Sequence, residues 1–109
     1  MFYFVYYLFH YEYIILALCS FVKNNFKLFS NESIFDIQAL PKRLVVIGGG
    51  PIGVEIAQAF SRLGSNVIIL EAFKALPKDD SEIISKLKYI LKEEGIDLKE
   101  EVSITEIKK

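Results

Sequence analysis

Three glycines and one carboxylate are the residues whose types and spacing point to chemistry. Gly48, Gly50 and Gly53 lie in the stretch LVVIGGGPIGVE, residues 44–55, and give the G-x-G-x-x-G spacing of a dinucleotide-binding turn. Each glycine meets a separate demand. Gly48 permits a tight turn off a strand. Gly50, with no Cβ, lets backbone approach a pyrophosphate, and Gly53 lets a helix pack closely on the strand before it. The free N–H groups at the start of that helix would then face the phosphates, where the helix dipole favours negative charge. The carboxylate is Glu71, which closes the apolar run Val67-Ile68-Ile69-Leu70. An acid at the end of the second strand, roughly 20 residues past the glycines, can accept both ribose hydroxyls of an adenosine. The competing reading is a plain β-α-β unit whose Glu71 is a solvated strand end.

The elements that would position these groups can be read around them. A short apolar run with β-branched residues leads into the glycines and predicts a buried strand. Ile52, Ile56, Phe60 and Leu63 then recur at helical spacing. Pro51 suits a first helical turn, and Gly64 stands where a C-terminal cap belongs. After Glu71 comes a loop, residues 72–78. Asp79 or Asp80 can cap a second helix, and Asp79 with Glu82 has capping-box spacing. Ile83, Ile84, Leu87, Ile90 and Leu91 predict one apolar stripe on that helix, with Lys86, Lys88, Lys92, Glu93 and Glu94 mostly off it. Gly95 stops the helix, and one or two short strands are expected in residues 96–106, with Leu98, Val102 and Ile104 facing inward. The order β-α-β-α-β predicts an α/β, Rossmann-like parallel sheet with right-handed crossovers.

Composition limits the alternatives. With 109 residues the chain has room for one small domain, and a net charge of −1 gives no sign of a nucleic-acid partner. A single cysteine, Cys19, excludes an internal disulfide or a CxxC pair, and one histidine, His10, makes a metal cluster unexpected. Cys19 reads as a small hydrophobe in an apolar stretch. No metal ligands and no catalytic residues are assigned.

The first 28 residues differ from the rest. They hold most of the aromatic side chains, and Glu12 is the only charged residue before Lys23. The expectation is an apolar, helical leader, and residues 1–22 are long enough to span a bilayer, which takes about 20 apolar residues. Against a span stand His10 and Glu12 in its middle and the tyrosines, which prefer the membrane interface. No basic n-region or clear cleavage site marks a secretory signal. The other reading is an accidental apolar leader on a cytoplasmic protein. Residues 29–42 read as a connector in which Ile34, Phe35, Ile37 and Leu40 make a short amphipathic turn ended by Pro41. Residues 43–109 form the α/β unit.

From about Ser33 onward the sequence resembles the nucleotide-binding domain of the pyridine nucleotide-disulfide oxidoreductases, the flavoproteins that include dihydrolipoamide dehydrogenase and mercuric reductase. The likeness rests on Leu40-Pro41-Lys42-Arg43 before the strand and residues 46–55 across the turn. Leu63-Gly64-Ser65, residues 67–71, Leu76-Pro77 with Asp80, and Glu94-Gly95-Ile96 extend it. It implies that Gly48, Gly49, Gly50, Pro51, Ile52, Gly53, Glu55 and Glu71 are the cofactor-binding residues. Glu55 would lie near the nicotinamide end; the plain alternative is a helix N-terminal Glu favoured by the dipole. Glu71 implies NAD over NADP, since Lys74 and Lys78 are the only cations nearby and read as loop charges.

The departures from that family are as informative. An FAD domain and a redox-active disulfide pair precede this domain in the relatives, and a dimerisation domain with a catalytic His–Glu pair follows it. None of these is recognisable in the 109 residues. The expectation is therefore an NAD(H)-binding fragment, inactive alone, marginally stable and with apolar surface exposed, which a complementing flavin-domain chain would have to complete. Three other readings compete: a membrane-tethered nucleotide-binding module without catalysis, a glycine turn that serves FAD, and a decayed gene product.

Overall fold

The structure, a computed structural model, describes residues 4–5, 14–18, 26–30, 32–103 and 106–107. The readings of His10, Cys19 and Ile104 lie outside the described residues. The elements run β1 (Phe4–Val5), β2 (Ile14–Leu18), β3 (Phe26–Ser30), a 3-10 turn (Ser33–Asp36), β4 (Arg43–Ile47), α1 (Pro51–Leu63), β5 (Asn66–Leu70), α2 (Ser81–Glu93), β6 (Asp97–Lys99) and β7 (Glu106–Ile107).

β4 is central to a five-stranded sheet of order β3-β2-β4-β5-β6. β4, β5 and β6 run parallel, with Leu44 opposite Val67, Val46 opposite Ile69 and Ile69 opposite Leu98. This is the β-α-β-α-β Rossmann-like unit that the sequence predicts. A strand buried on both faces carries an unbroken apolar run, and Leu44, Val45 and Val46 are all at most 2% exposed. Alternation sends Leu44, Val46, Val67 and Ile69 to one face, where they pack with Val54, Ile56, Ala57 and Phe60 of α1 and Leu91 of α2. Val45, Ile47, Ile68 and Leu70 point the other way and form a smaller cluster with Val102.

The leader departs from expectation. Its described part is strand, not helix: β2 pairs antiparallel with β4, Ile14 opposite Ile47 and Leu18 opposite Arg43, and β3 pairs antiparallel with β2. The physical reason is the open edge of β4, a row of unpaired backbone groups that an Ile-Ile-Leu segment of high β-propensity satisfies. Among the described residues no helix is long and apolar enough to cross a membrane. The 3-10 turn buries Ile34 completely and leaves Phe35 outside, as an amphipathic turn should.

Two helical stripes are narrower than their sequence pattern. On α1, Gly53, Val54, Ile56, Ala57 and Phe60 are buried, while Ile52 and Leu63 at its ends are 41% and 67% exposed. On α2, Leu91 is buried and Ile84 and Leu87 pack on the core, but Ile83 and Ile90 are exposed. Asp80, not Asp79, caps α2: its carboxylate accepts from Glu82 N at 2.9 Å and Ile83 N at 3.3 Å. Gly64 and Gly95 follow the two helices with φ of 112° and 82°, the left-handed ends that glycine allows.

Candidate functional site

The glycines sit at the carboxyl end of β4, where the chain turns into α1. Gly48 has φ 114°, and its N–H donates to Leu70 O at 2.8 Å, tying the turn to the end of β5. Gly53 is the close-packing position. A Cβ there would lie 2.2 Å from Gly48 O and 3.3 Å from Val46 Cγ1. Gly50 is the N-cap of α1 and has no side chain to cap it, and Pro51 occupies the first helical position. The first-turn N–H groups of Ile52 and Gly53 therefore meet no side-chain cap, which is the arrangement that accepts an anion.

Glu71 reaches back onto this turn. Its Oε2 accepts from Gly49 N at 2.5 Å and its Oε1 from Phe73 N at 3.1 Å. An ionised carboxylate offers about four lone-pair sites. Two stay available for further donors, which suits the vicinal hydroxyls of a ribose. Glu71 is therefore held in place by the turn itself and is not a loose strand end.

Glu55 is exposed, and as the fifth residue of α1 it lies beyond the first turn. The helix dipole favours an acid only within that turn, so the plain explanation for Glu55 weakens. Pro51 and Ile52 are also exposed beside the turn. Lys74 is engaged with Glu101 at 3.3 Å, both side chains largely in solvent. Among the described residues no His/Cys/Asp/Glu cluster is placed to hold a metal ion.

A further set of contacts behind the turn has no signature along the chain. Ala75 is buried against Gly49, and Leu76 N donates to Gly49 O at 3.0 Å. Ala75 N in turn donates to Glu100 Oε1 at 2.7 Å. Small residues in a loop carry no periodicity, so only the folded chain reveals this contact. A shallow cleft bounded by Arg43, Asn66, Gly95 and Asp97 lies at the other end of the strands. Ligands of open α/β sheets bind outside the carboxyl ends, so the glycine end is the candidate site.

A parallel sheet with a glycine turn after one strand and an acid after the next defines a Rossmann-type domain. The pattern of the family described as pyridine nucleotide-disulphide oxidoreductase matches residues 15–109. The chain belongs to this family. It is 38% identical over 71 residues to the probable pyridine nucleotide-disulfide oxidoreductase RclA of Escherichia coli, covering 64% of this chain and 16% of that protein. It is 40% identical over 72 residues to the dihydrolipoamide dehydrogenase of Chaetomium thermophilum, covering 64% and 14% respectively. The solved Cu(II) complex of the HOCl-induced flavoprotein disulfide reductase RclA superposes with a TM-score of 0.66 at 36% identity, over 68% of this chain and 17% of that one. The water-forming NADH oxidase of Lactobacillus brevis, solved bound to NADH, gives 0.59 at 26% identity, over 69% and 17%. The chain thus spans about one sixth of the length of these relatives.

Proposed function

We propose that this chain binds NAD(H), the glycine turn taking the pyrophosphate and Glu71 the adenosine ribose, as the nicotinamide-nucleotide part of a flavin-dependent disulfide oxidoreductase. The observation that carries this is the Glu71–Gly49 hydrogen bond, which sets the acid directly over the turn at the start of α1. The residues fit the cofactor: Gly48, Gly49, Gly50, Pro51, Ile52 and Gly53 would form the cradle, and Glu55, exposed on α1, would lie near the nicotinamide end. NAD is favoured over NADP because a 2′-phosphate would meet the Glu71 carboxylate. The two arginines, Arg43 and Arg62, begin β4 and end α1, away from the turn, and Lys74 is paired with Glu101.

Bound NAD(H) supplies hydride chemistry. A redox dithiol would have to come from elsewhere, since these residues include a single cysteine. The chain alone is proposed to bind the nucleotide without turning over a disulfide.

The test is an NADH titration of the chain followed by nicotinamide fluorescence, beside Gly50→Val and Glu71→Ala. Gly50 has φ −79° and ψ −179°, extended backbone that valine adopts readily. Gly50→Val therefore puts a side chain where the pyrophosphate would approach, without straining the backbone at that position. Saturable binding is expected in the parent, absent in Gly50→Val, and weakened about tenfold or more in Glu71→Ala. A folded parent that does not bind NADH overturns the proposal.

A further inference from the structure

We propose that Glu100, backed by Lys88, is a positioning residue for the dinucleotide turn. It holds the loop after β5 against Gly49 and so fixes where the turn and Glu71 present themselves. The inference rests on the NAD(H) reading for its purpose, but its geometry stands apart from that reading.

The contacts form a continuous path. Lys88 on α2 places Nζ 2.7 Å from Glu100 Oε1, and the same oxygen accepts from Ala75 N at 2.7 Å. Ala75 then touches the turn: a Cβ built on Gly49 would meet Ala75 Cβ at 3.0 Å and Ala75 Cα at 3.3 Å. The next residue, Leu76, bonds through its N–H to Gly49 O, and Gly49 N donates to Glu71. Glu71 closes the ring, because its own N–H donates to Lys99 O, one residue before Glu100.

Two further features indicate that the loop is held from outside. Leu76 has φ 51°, a left-handed conformation that an L side chain adopts only when its surroundings impose it. Glu100 and Lys88 are only 19% and 34% exposed, so the pair is partly withdrawn from water and less screened than a surface pair. Burial acts to raise the Glu100 carboxyl, but the Lys88 ammonium, the Ala75 N–H and the more distant Lys74 together bring it below the usual carboxylate range. The acceptor is therefore ionised at neutral pH. Its bond to Ala75 N is charge-assisted, roughly twice as strong as a neutral one.

The alternative is an ordinary surface ion pair with no influence on the turn. The experiment that separates them uses the 109-residue chain as parent, with Glu100→Ala, Glu100→Gln, Lys88→Met and Lys88→Arg. It reads amide hydrogen exchange at Gly49, Ala75 and Leu76, with Val45 and Ile69 as controls, together with NADH affinity. Glu100→Ala is expected to raise exchange at Gly49 and Ala75 about tenfold while the controls hold, and to weaken NADH about tenfold. Glu100→Gln, which keeps an acceptor oxygen and the fold but loses the charge, should fall between the parent and Glu100→Ala. Lys88→Arg should match the parent, and Lys88→Met should resemble Glu100→Gln. Unchanged exchange at Gly49 in Glu100→Ala overturns the proposal, as does a uniform rise that includes Val45 and Ile69. A parent that binds no NADH defeats the nucleotide reading, while the exchange comparison still decides whether Glu100 holds the turn.

Discussion

Gly53 shows how much one missing methyl can determine. Its Cα faces the carbonyl of Gly48 so closely that a Cβ would sit 2.2 Å from that oxygen. Backbone cannot move aside as a flexible side chain does, so Gly53→Ala must push α1 off β4. Overpacking of this kind costs about 1–3 kcal/mol, and the neighbouring Ala57 and Phe60 would lose contact with the strand as well. A urea titration should show that loss as a lower midpoint, and a midpoint equal to the parent's would mean that the turn relaxes without moving the helix. The same reasoning explains why this part of the site is legible in the sequence. A positive φ at Gly48, a close approach at Gly53 and a carboxylate after β5 are requirements on residue type at fixed spacing. Ala75 and Glu100 meet no such requirement. They act through a backbone N–H and a tertiary contact, neither of which leaves a pattern along the chain.

Identifiable groups hold both ends of α2 and tie its C-terminal end to that of α1. Asp80 accepts two first-turn N–H groups of α2, and its replacement by alanine should cost about 1 kcal/mol, measurable as a reduced urea midpoint. At the other end Arg62 of α1 bonds Glu94, with Nη2 at 2.7 Å and Nε at 3.3 Å from the same oxygen, and Ser61 Oγ donates to Glu94 O. The Arg62 guanidinium holds the Glu94 carboxyl below the usual carboxylate range. A carboxyl depressed in the folded chain stabilises fully above its unfolded pKa, about 4.3, and loses that contribution as pH falls through the folded value. Thermal midpoints of the parent and Arg62→Ala should therefore differ slightly at pH 7 and converge in acid. Arg62 is 61% exposed, so solvent screening keeps the difference small. A gap that persists in strong acid would assign the effect to lost packing. Elements were easier to read than their faces. The spacing of Ile83, Ile84, Leu87, Ile90 and Leu91 fits one stripe, yet only the Ile84, Leu87 and Leu91 side lies on the core. A helix lying over the short strand β6 buries a narrower face than its apolar pattern offers.

At the scale of the whole molecule the parallel unit is only part of the sheet. Hydrophobic periodicity identifies β4, β5 and both helices because each must bury a face, but it cannot say which segment covers the free edge of β4. An aromatic, apolar leader satisfies the pattern of a helix or a strand, and pairing with β4 decides the matter. This arrangement leads to a last prediction. Five residues of β2, from Ile14 to Leu18, pair with β4, and β3 pairs along the far side of β2. Removing residues 1–31 would strip both strands and leave the edge of β4, Arg43–Ile47, as a row of unpaired backbone groups beside an apolar face. Long, flat apolar edges of that kind recruit other chains. The remainder also carries Leu63, Phe73, Ile83 and Tyr89 with more than 60% of their surface exposed, further sites for association. The shortened chain should melt at a lower temperature than the parent and form larger species in size-exclusion chromatography with light scattering. Lysine at Val45, Leu44 or Ile47 would not serve as a control, because those side chains pack on the faces of the sheet. If the shortened chain matches the parent in melting temperature and in size, then β4 is protected by something other than the leader, and the parallel unit is self-sufficient.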